Sequence, residues 1–214
     1  MSSADERADV PHLECRFCDL VPAVGSDSAR PFWETITPAF LKETVSGSAP
    51  RQMTWFKTAW GVGELRVLFH AQDDEPRATL TQRDAPLYTE EVVEVFLDPF
   101  GDLETYFEIE VNPLNAVCDL VLRRTRSGYR KDFAWDCEGL QTTVTKTSAA
   151  WMVELSIPFA SLGPGLPSLG QPWRANFCRI DRPRDAEREL SAWSPTGRAN
   201  FHIQQRFGTL HFTR

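Results

Sequence analysis

Apolar and polar residues alternate one for one along most of this chain. In "VVEVFLD", residues 92–98, Val93, Val95 and Leu97 alternate with Val92, Glu94, Phe96 and Asp98. In "TYFEIEVN", residues 105–112, Phe107, Ile109 and Val111 alternate with Tyr106, Glu108, Glu110 and Asn112. Successive side chains of a strand point to opposite faces, so this period of two predicts strands. The same period runs through "LECRFCDL" (13–20), "RQMTWFKTAW" (51–60) and "ELRVLFHAQ" (64–72), the last two joined by Gly61-Val62-Gly63 as a hairpin. Further strands are expected in "AVCDLVLRR" (116–124), "WRANFCRIDR" (173–182) and "FGTLHFTR" (207–214). "GLQTTVTKT" (139–147) and "AAWMVELSIPF" (149–159) should pair around a turn at 147–150.

Helical periodicity is scarce. "PAFLKETVSG" (38–47) suits a short helical or irregular segment, and "PFASLGPG" (158–165) a single turn. Many short strands separated by Pro and Gly turn signals predict an all-β antiparallel sandwich, immunoglobulin-like or jelly-roll-like, with few short helices. There is no internal repeat. The best linker candidate, 163–172, reads as a loop, because strand patterns resume on both sides without a change of composition. The expected organisation is an N-terminal tail at 1–11 and one sandwich domain at 12–214.

The strand faces carry the first functional hint. Val93, Val95 and Leu97 form a purely apolar face that belongs on the core, which turns Glu94 the other way. Phe107, Ile109 and Val111 do the same for Glu108 and Glu110. The short connection makes the two strands antiparallel neighbours. Their outer faces then merge into one surface bearing Glu94, Glu108, Glu110, Phe96 and Tyr106. An antiparallel sandwich normally has such a solvated face. The alternative is a shallow ligand surface suited to sugars, where an aromatic ring stacks on a pyranose and polar groups take its hydroxyls.

Composition narrows the classes. The chain has 214 residues, 42% hydrophobic and 25% charged, with net charge −7. The acidic balance argues against nucleic acid, whose phosphates call for clustered Lys and Arg. No uninterrupted apolar run is long enough for a membrane span, and the N-terminus carries no secretory signal pattern. As it stands the chain reads as cytoplasmic. The seven tryptophans are mostly core candidates. The odd number of cysteines, five, leans towards a reducing compartment. Cys15-x-x-Cys18 has no second ligand pair for zinc and no βαβ context for redox work, and reads as two small apolar residues.

"LYTEEVVEVFLDP", "YFEIEVNPLNAVCDL", "WMVELSIPF", "WRANFCRID", "SAWSPTG" and "FHIQQRFGTLHF" follow one another in an order that resembles the family 9 carbohydrate-binding modules, in particular the bacterial stand-alone type. The resemblance covers roughly 31–214. It implies a DOMON-type β-sandwich without catalysis, binding a mono-, oligo- or polysaccharide such as the end of a glucan or xylan, in the service of carbohydrate breakdown. It implies that two aromatics sandwich the sugar, here Tyr88 and Trp193, while Glu94 bonds its hydroxyls. Tyr88 stands where the family usually has Trp, and Glu110 falls near a position that is basic in the family. Asn112 and Arg179 complete the expected site, with Arg179 or Arg174 able to supply the basic group. No cofactor is expected. Family members can carry structural calcium, for which "QDDE" (72–75) and Asp98 offer oxygen ligands.

Two other functions stay open on the residues. Glu94 with Glu108 or Glu110 would serve a glycoside hydrolase as a carboxylate pair, although an open sheet face suits acid chemistry poorly. A haem-binding DOMON-like domain would need axial ligands drawn from Met53, Met152, His70 and His202.

Overall fold

β-Branched and aromatic residues at alternate positions make the two central strands, and their apolar edges meet a second sheet layer. The computed structural model describes residues 10–163 and 167–214. The N-terminal tail proposed from the sequence lies outside the described residues up to position 9, as do 164–166 of the loop at 163–172.

In chain order the elements are β1 (His12–Phe17), α1 (Ala29–Glu34), β2 (Ala39–Phe40), β3 (Lys42–Glu43), β4 (Thr54–Gly61), β5 (Glu64–Gln72), β6 (Val92–Asp98), β7 (Thr105–Val111), β8 (Val117–Thr125), β9 (Gly128–Asp132), β10 (Gln141–Lys146), β11 (Ala150–Pro158), β12 (Trp173–Asp181), β13 (Glu189–Ala192) and β14 (Gly208–Thr213). Short 3₁₀ turns occupy Leu87–Thr89, Phe159–Leu162 and Gln204–Arg206. The hydrogen-bonded path runs β10-β11-β5-β4-β1-β14-β12-β6-β7-β8-β9. Neighbours are antiparallel except β1, which runs parallel to both β4 and β14. The expected hairpins hold. Thr58 opposes Val67 in β4–β5, and Val144 opposes Val153 in β10–β11. The segment at 38–47 is irregular, contributing only β2 and β3, and α1 lies just before it.

The path folds over so that β5, β4 and β11 face β12, β6 and β7. Leu65, Val67, Phe69, Val153, Leu155 and Ile157 meet Val93, Val95, Leu97, Phe107, Ile109 and Val111 in one buried core. Phe56 of β4 stacks on Phe177 of β12 at 4.0 Å between ring centroids, joining the layers. Each large apolar side chain so buried contributes about 1.5–3 kcal/mol. Cys15 belongs to this core, and burial pushes its thiol up to about 12. The Cys15–Cys18 pair is thus apolar filling, and both thiols are free.

One expectation fails. The outer face of β12-β6-β7-β8 is not an open, solvated surface. Val92, Phe96, Tyr106, Leu120, Leu122, Cys178 and Ile180 form a second apolar layer there. Leu87, from the segment before β6, covers it together with Phe201 and Phe207 from the segment before β14. Aromatics on that face are too large to leave wet when loops are at hand to cover them.

Candidate functional site

The covering loops leave a gap that opens over the glutamates. Leu87 is fully buried and anchors the turn Leu87–Thr89, so the next side chain, Tyr88, is thrown outward and is 47% exposed. The turn is held by Glu90 N–H donating to the Leu87 carbonyl (2.8 Å) and by the Thr89 hydroxyl donating to the Pro86 carbonyl (2.7 Å). From Tyr88 a cleft of about 300 Å³ descends to Glu94 and Glu108. Lys131 on β9 forms one wall, Asn200, Phe201 and His202 the other, and Arg188 stands at the rim. The size is at the lower end for small-ligand pockets. A larger groove of about 510 Å³ runs beneath α1 on the far side of the sandwich. The smaller cleft is the better candidate because buried carboxyl oxygens without partners sit beside it.

Three buried glutamates lie there, and two of them carry those atoms. Glu94, Glu108 and Glu110 are each 2% exposed. Register sets Glu94 across from Glu110 and Phe96 across from Glu108, so period two puts all three on the outer face. One carboxyl oxygen of each lies within 4.8 Å of the others. Oε2 of Glu108 and Oε2 of Glu110 have no hydrogen-bond partner. Burial drives Glu94 and Glu110 well above the usual carboxylate range, and the neighbouring acids push them the same way. Burial also lifts Glu108, to about 7, with the Lys131 charge and a hydrogen bond from Glu110 opposing.

His202 links the cleft wall to this floor. The Lys131 ammonium donates to its Nε2 at 3.3 Å, which leaves the proton on Nδ1 to be donated to the Tyr106 oxygen at 2.9 Å. Burial and the Lys131 charge lower its pKa to about 4, so the ring is neutral near pH 7. Its Nδ1 is 4.0 Å from Glu108, too far for a hydrogen bond. Lys131 Nζ also lies 5.9 Å from the Tyr88 ring centre, within cation–π range.

Of the six residues selected from sequence, Tyr88 and Glu94 line the cleft and Glu110 lies beside Glu94. Asn112 is buried and ties down loops: its side-chain amide donates to the Leu80 carbonyl, and its oxygen accepts from Leu114 and Ala116 N–H. The other two are on the opposite face of the sheet. Trp193 is 6% exposed and packs edge-on against Phe56 and Phe177 in the main core, so it cannot stack on a sugar facing Tyr88. Arg179 shares the core-facing side of β12 with Phe177 and is taken up by Asp73 and Asp181. Lys131, Arg188, Asn200 and His202 were missed as site residues. Lys131 and Tyr129 do alternate along β9, but the strand has no apolar run to announce it.

A family model, carbohydrate family 9 binding domain-like, matches residues 27–214. The chain belongs to that family.

Solved structures agree on the fold of this family 9 domain. A carbohydrate-binding candidate from Bacteroides uniformis superposes with TM-score 0.76 at 18% identity, covering 94% of this chain and 98% of the other. A family 9 module from Caldicellulosiruptor kristjanssonii in complex with glucose gives 0.66 at 17%, covering 94% and 95%. One in complex with cellotriose gives 0.69 at 18%, covering 95% and 94%. Among curated proteins, none matches.

Two further acid groups mark the family 9 domain away from its cleft, and each is closed by an arginine. Arg179 bonds Asp73 (2.8 Å) and Asp181 (3.0 Å), beside Glu91. Arg83 reaches Asp119 (2.6 Å), Asp136 (2.7 Å) and Asp84 (3.9 Å). The calcium ligands considered from sequence are not assembled. Asp73 belongs to the Arg179 group, while Asp98 accepts backbone N–H from Phe100 and Gly101 and the Gln204 amide. Nor do His70 and Met152 suit a haem. They are register partners on one sheet face and cannot approach the iron from opposite sides.

Glu91 gives the Arg179 group a measurable pH dependence. Burial, then a hydrogen bond to Asp73 and the Asp73 charge, raise its pKa to about 8 from an ordinary 4.5. A raised folded-state pKa contributes stability that is full below the unfolded value and is lost as pH rises through the folded one. Glu91→Gln keeps a donor towards Asp73 without the titration. The variant should match the wild type near pH 4.5 and be more stable by at least about 1 kcal/mol near pH 8, read from urea midpoints across pH.

Proposed function

We propose that this domain binds carbohydrate without transforming it, taking a small sugar or the end of a glucan or xylan chain into the Tyr88–Glu94 cleft. The observation that carries the reading is an exposed aromatic directly above buried carboxyls with unused oxygens, in a member of a carbohydrate-binding family. The Tyr88 ring offers an apolar platform for one face of a pyranose. Glu94 and Glu108 accept hydroxyl protons, and Lys131 and Asn200 supply donors at the walls. The related modules in complex with glucose and cellotriose support the ligand class. Tyrosine covers less ring than tryptophan and the cleft is small, so affinity falls between millimolar and micromolar. On this reading the domain serves alongside a glycoside hydrolase in carbohydrate breakdown.

Calorimetric titration with glucose, cellobiose, cellotriose and xylobiose tests the proposal. Tyr88→Ala should weaken the best ligand by about 1–3 kcal/mol, the scale of one lost stacking contact. Glu94→Gln should weaken it as well, because an amide nitrogen that cannot accept a hydrogen bond replaces one of the two carboxyl oxygens. Absence of heat and of NMR shift changes with every sugar would refute it. On the binding reading, a panel of nitrophenyl glycosides should show no turnover. Turnover lost in Glu94→Gln would replace the binding reading with a hydrolase.

A further inference from the structure

The first and last strands of the domain carry a histidine pair that the sugar cleft does not use. β1 and β14 run parallel, with His12 across from Thr209 and Glu14 across from His211. Leu13, Cys15, Leu210 and Phe212 take the core side of these strands. Period two therefore turns His12, Glu14 and His211 together onto the other face. His12 Nδ1 lies 2.8 Å from His211 Nε2, although 199 positions separate the two residues. The ring planes are inclined by only 17° and the ring centres stand 5.1 Å apart. The nitrogens are nearer than the centres by about the width of one imidazole, so the rings meet edge to edge, nitrogen to nitrogen. A hydrogen bond there needs a proton on one nitrogen and a lone pair on the other. Two in-plane lone pairs converging on one point are also how imidazoles hold a metal ion. The two remaining histidines are engaged elsewhere: His70 stacks on Trp55, and His202 bonds Tyr106 and Lys131.

We propose that His12, His211 and Glu14 bind a divalent transition ion, zinc in type, as a clip between the first and last strands. Two imidazoles and a carboxylate suit zinc, nickel or copper over calcium or magnesium. Zinc bonds imidazole nitrogen at about 2.0–2.1 Å, which sets two nitrogens on a tetrahedral ion roughly 3.3 Å apart. Opening the pair from 2.8 Å to that separation takes a small turn of two side chains and no movement of the strands. The ion takes the lone pairs of His12 Nδ1 and His211 Nε2, so the protons of the neutral rings sit on His12 Nε2 and His211 Nδ1. Neighbouring strands stand about 4.8 Å apart, so the Glu14 carboxylate, directly across from His211, reaches the same ion. His12 and Glu14 are exposed, so the ion has an entry path and water can fill the fourth position. β1 is registered to β4 through two residue pairs and to β14 through five. A clip between β1 and β14 therefore fastens the first strand at the contact that holds most of it. The site shares no residue with the cleft and stands whether or not the cleft takes sugar.

Zinc titration of the untagged full chain, stripped with EDTA and freed of chelator, tests the site. One zinc per chain is expected by calorimetry. His12→Asn and His211→Asn should each weaken uptake by about tenfold or more, since even the hydrogen-bond partner of a metal ligand is worth that much. Glu14→Gln should weaken it by a smaller factor. Cys18→Ser should leave it unchanged, which separates the pair from the partly exposed thiol at Cys18. A melting scan gives a second readout. At a hundredfold excess of zinc over Kd the wild type should melt about 5–10 °C higher, and His12→Asn should lose most of that shift. No uptake by the wild type, or uptake unchanged in both histidine variants, overturns the site and leaves the pair as a hydrogen bond. Uptake lost in Cys18→Ser and kept in the histidine variants overturns it as well. Uptake unchanged in Glu14→Gln alone overturns the part given to the carboxylate.

Discussion

Replacing Arg179 by methionine should cost this domain about 3–5 kcal/mol of stability. The guanidinium is completely buried. It donates to the Thr54 hydroxyl (3.2 Å), the Gln72 carbonyl (2.8 Å), Asp73 (2.8 Å) and Asp181 (3.0 Å), and lies 6.0 Å from the Trp151 ring centre. Thr54 and Gln72 belong to β4 and β5, while Arg179 and Asp181 belong to β12. One side chain therefore ties the two layers of the sandwich together at this end. Methionine fills the stem's space but leaves two buried carboxylates without a counter-charge and two further polar groups without a donor. Removing one partner of a buried charge group is far costlier than never having built the group.

The pH dependence identifies the cause. Burial already raises Asp181 above its ordinary range, and Arg179 is what holds it down. Without Arg179 the folded-state pKa values of Asp181 and Glu91 rise further. That stability is present below the unfolded values and lost as pH increases. The deficit of Arg179→Met should therefore be small in acid and reach its full size near neutrality, as measured by urea unfolding. A deficit of the same size at every pH would mean that lost packing, not exposed charge, is responsible. Sugar affinity of the folded variant should match the wild type, because Arg179 and the cleft are on opposite faces of β12 and β6.

Arg179 also shows where sequence reading stops. Alternation in "VVEVFLDP" and "TYFEIEVNP" correctly put Val93, Val95, Ile109 and Val111 on the core and Glu94, Glu108 and Glu110 together on the other side. That inference needs only a local rule and one short connection. The failures all involve partners far along the chain. A strand face rich in glutamate reads as solvated, and nothing nearby says that Phe201 and Phe207 will close over it. Lys131 and His202 reach the cleft from β9 and from the loop before β14, and neither carries a periodic signal. Arg179 sits at an alternating position that is equally compatible with a ligand site or with acids more than a hundred residues away at Asp73. Parity along a strand gives the face, but the partner is settled by tertiary packing.

Trp193 is the sharpest test of that distinction. Trp193→Ala should destabilise the domain by about 3–5 kcal/mol, the range for deleting a large aromatic from a core. The ring meets Phe56 and Phe177 edge-on, each at 5.9 Å between centroids. It also lies over Gly208, where a methyl carbon in place of hydrogen would come within 2.3 Å of it. The fit therefore uses the absence of a side chain at 208, and nothing adjacent is free to fill the hole that alanine leaves. The Trp193 N–H donates to the Phe177 carbonyl at 2.8 Å, so the backbone is fixed and the cavity persists. Trp193→Phe restores part of the packing and should recover part of the loss. In both variants the folded protein should bind its best sugar as the wild type does, while Tyr88→Ala should do the reverse and lose affinity with its melting point nearly intact. If Trp193→Ala instead melts like the wild type and loses sugar binding, the ring belongs to the site and the core assignment is wrong.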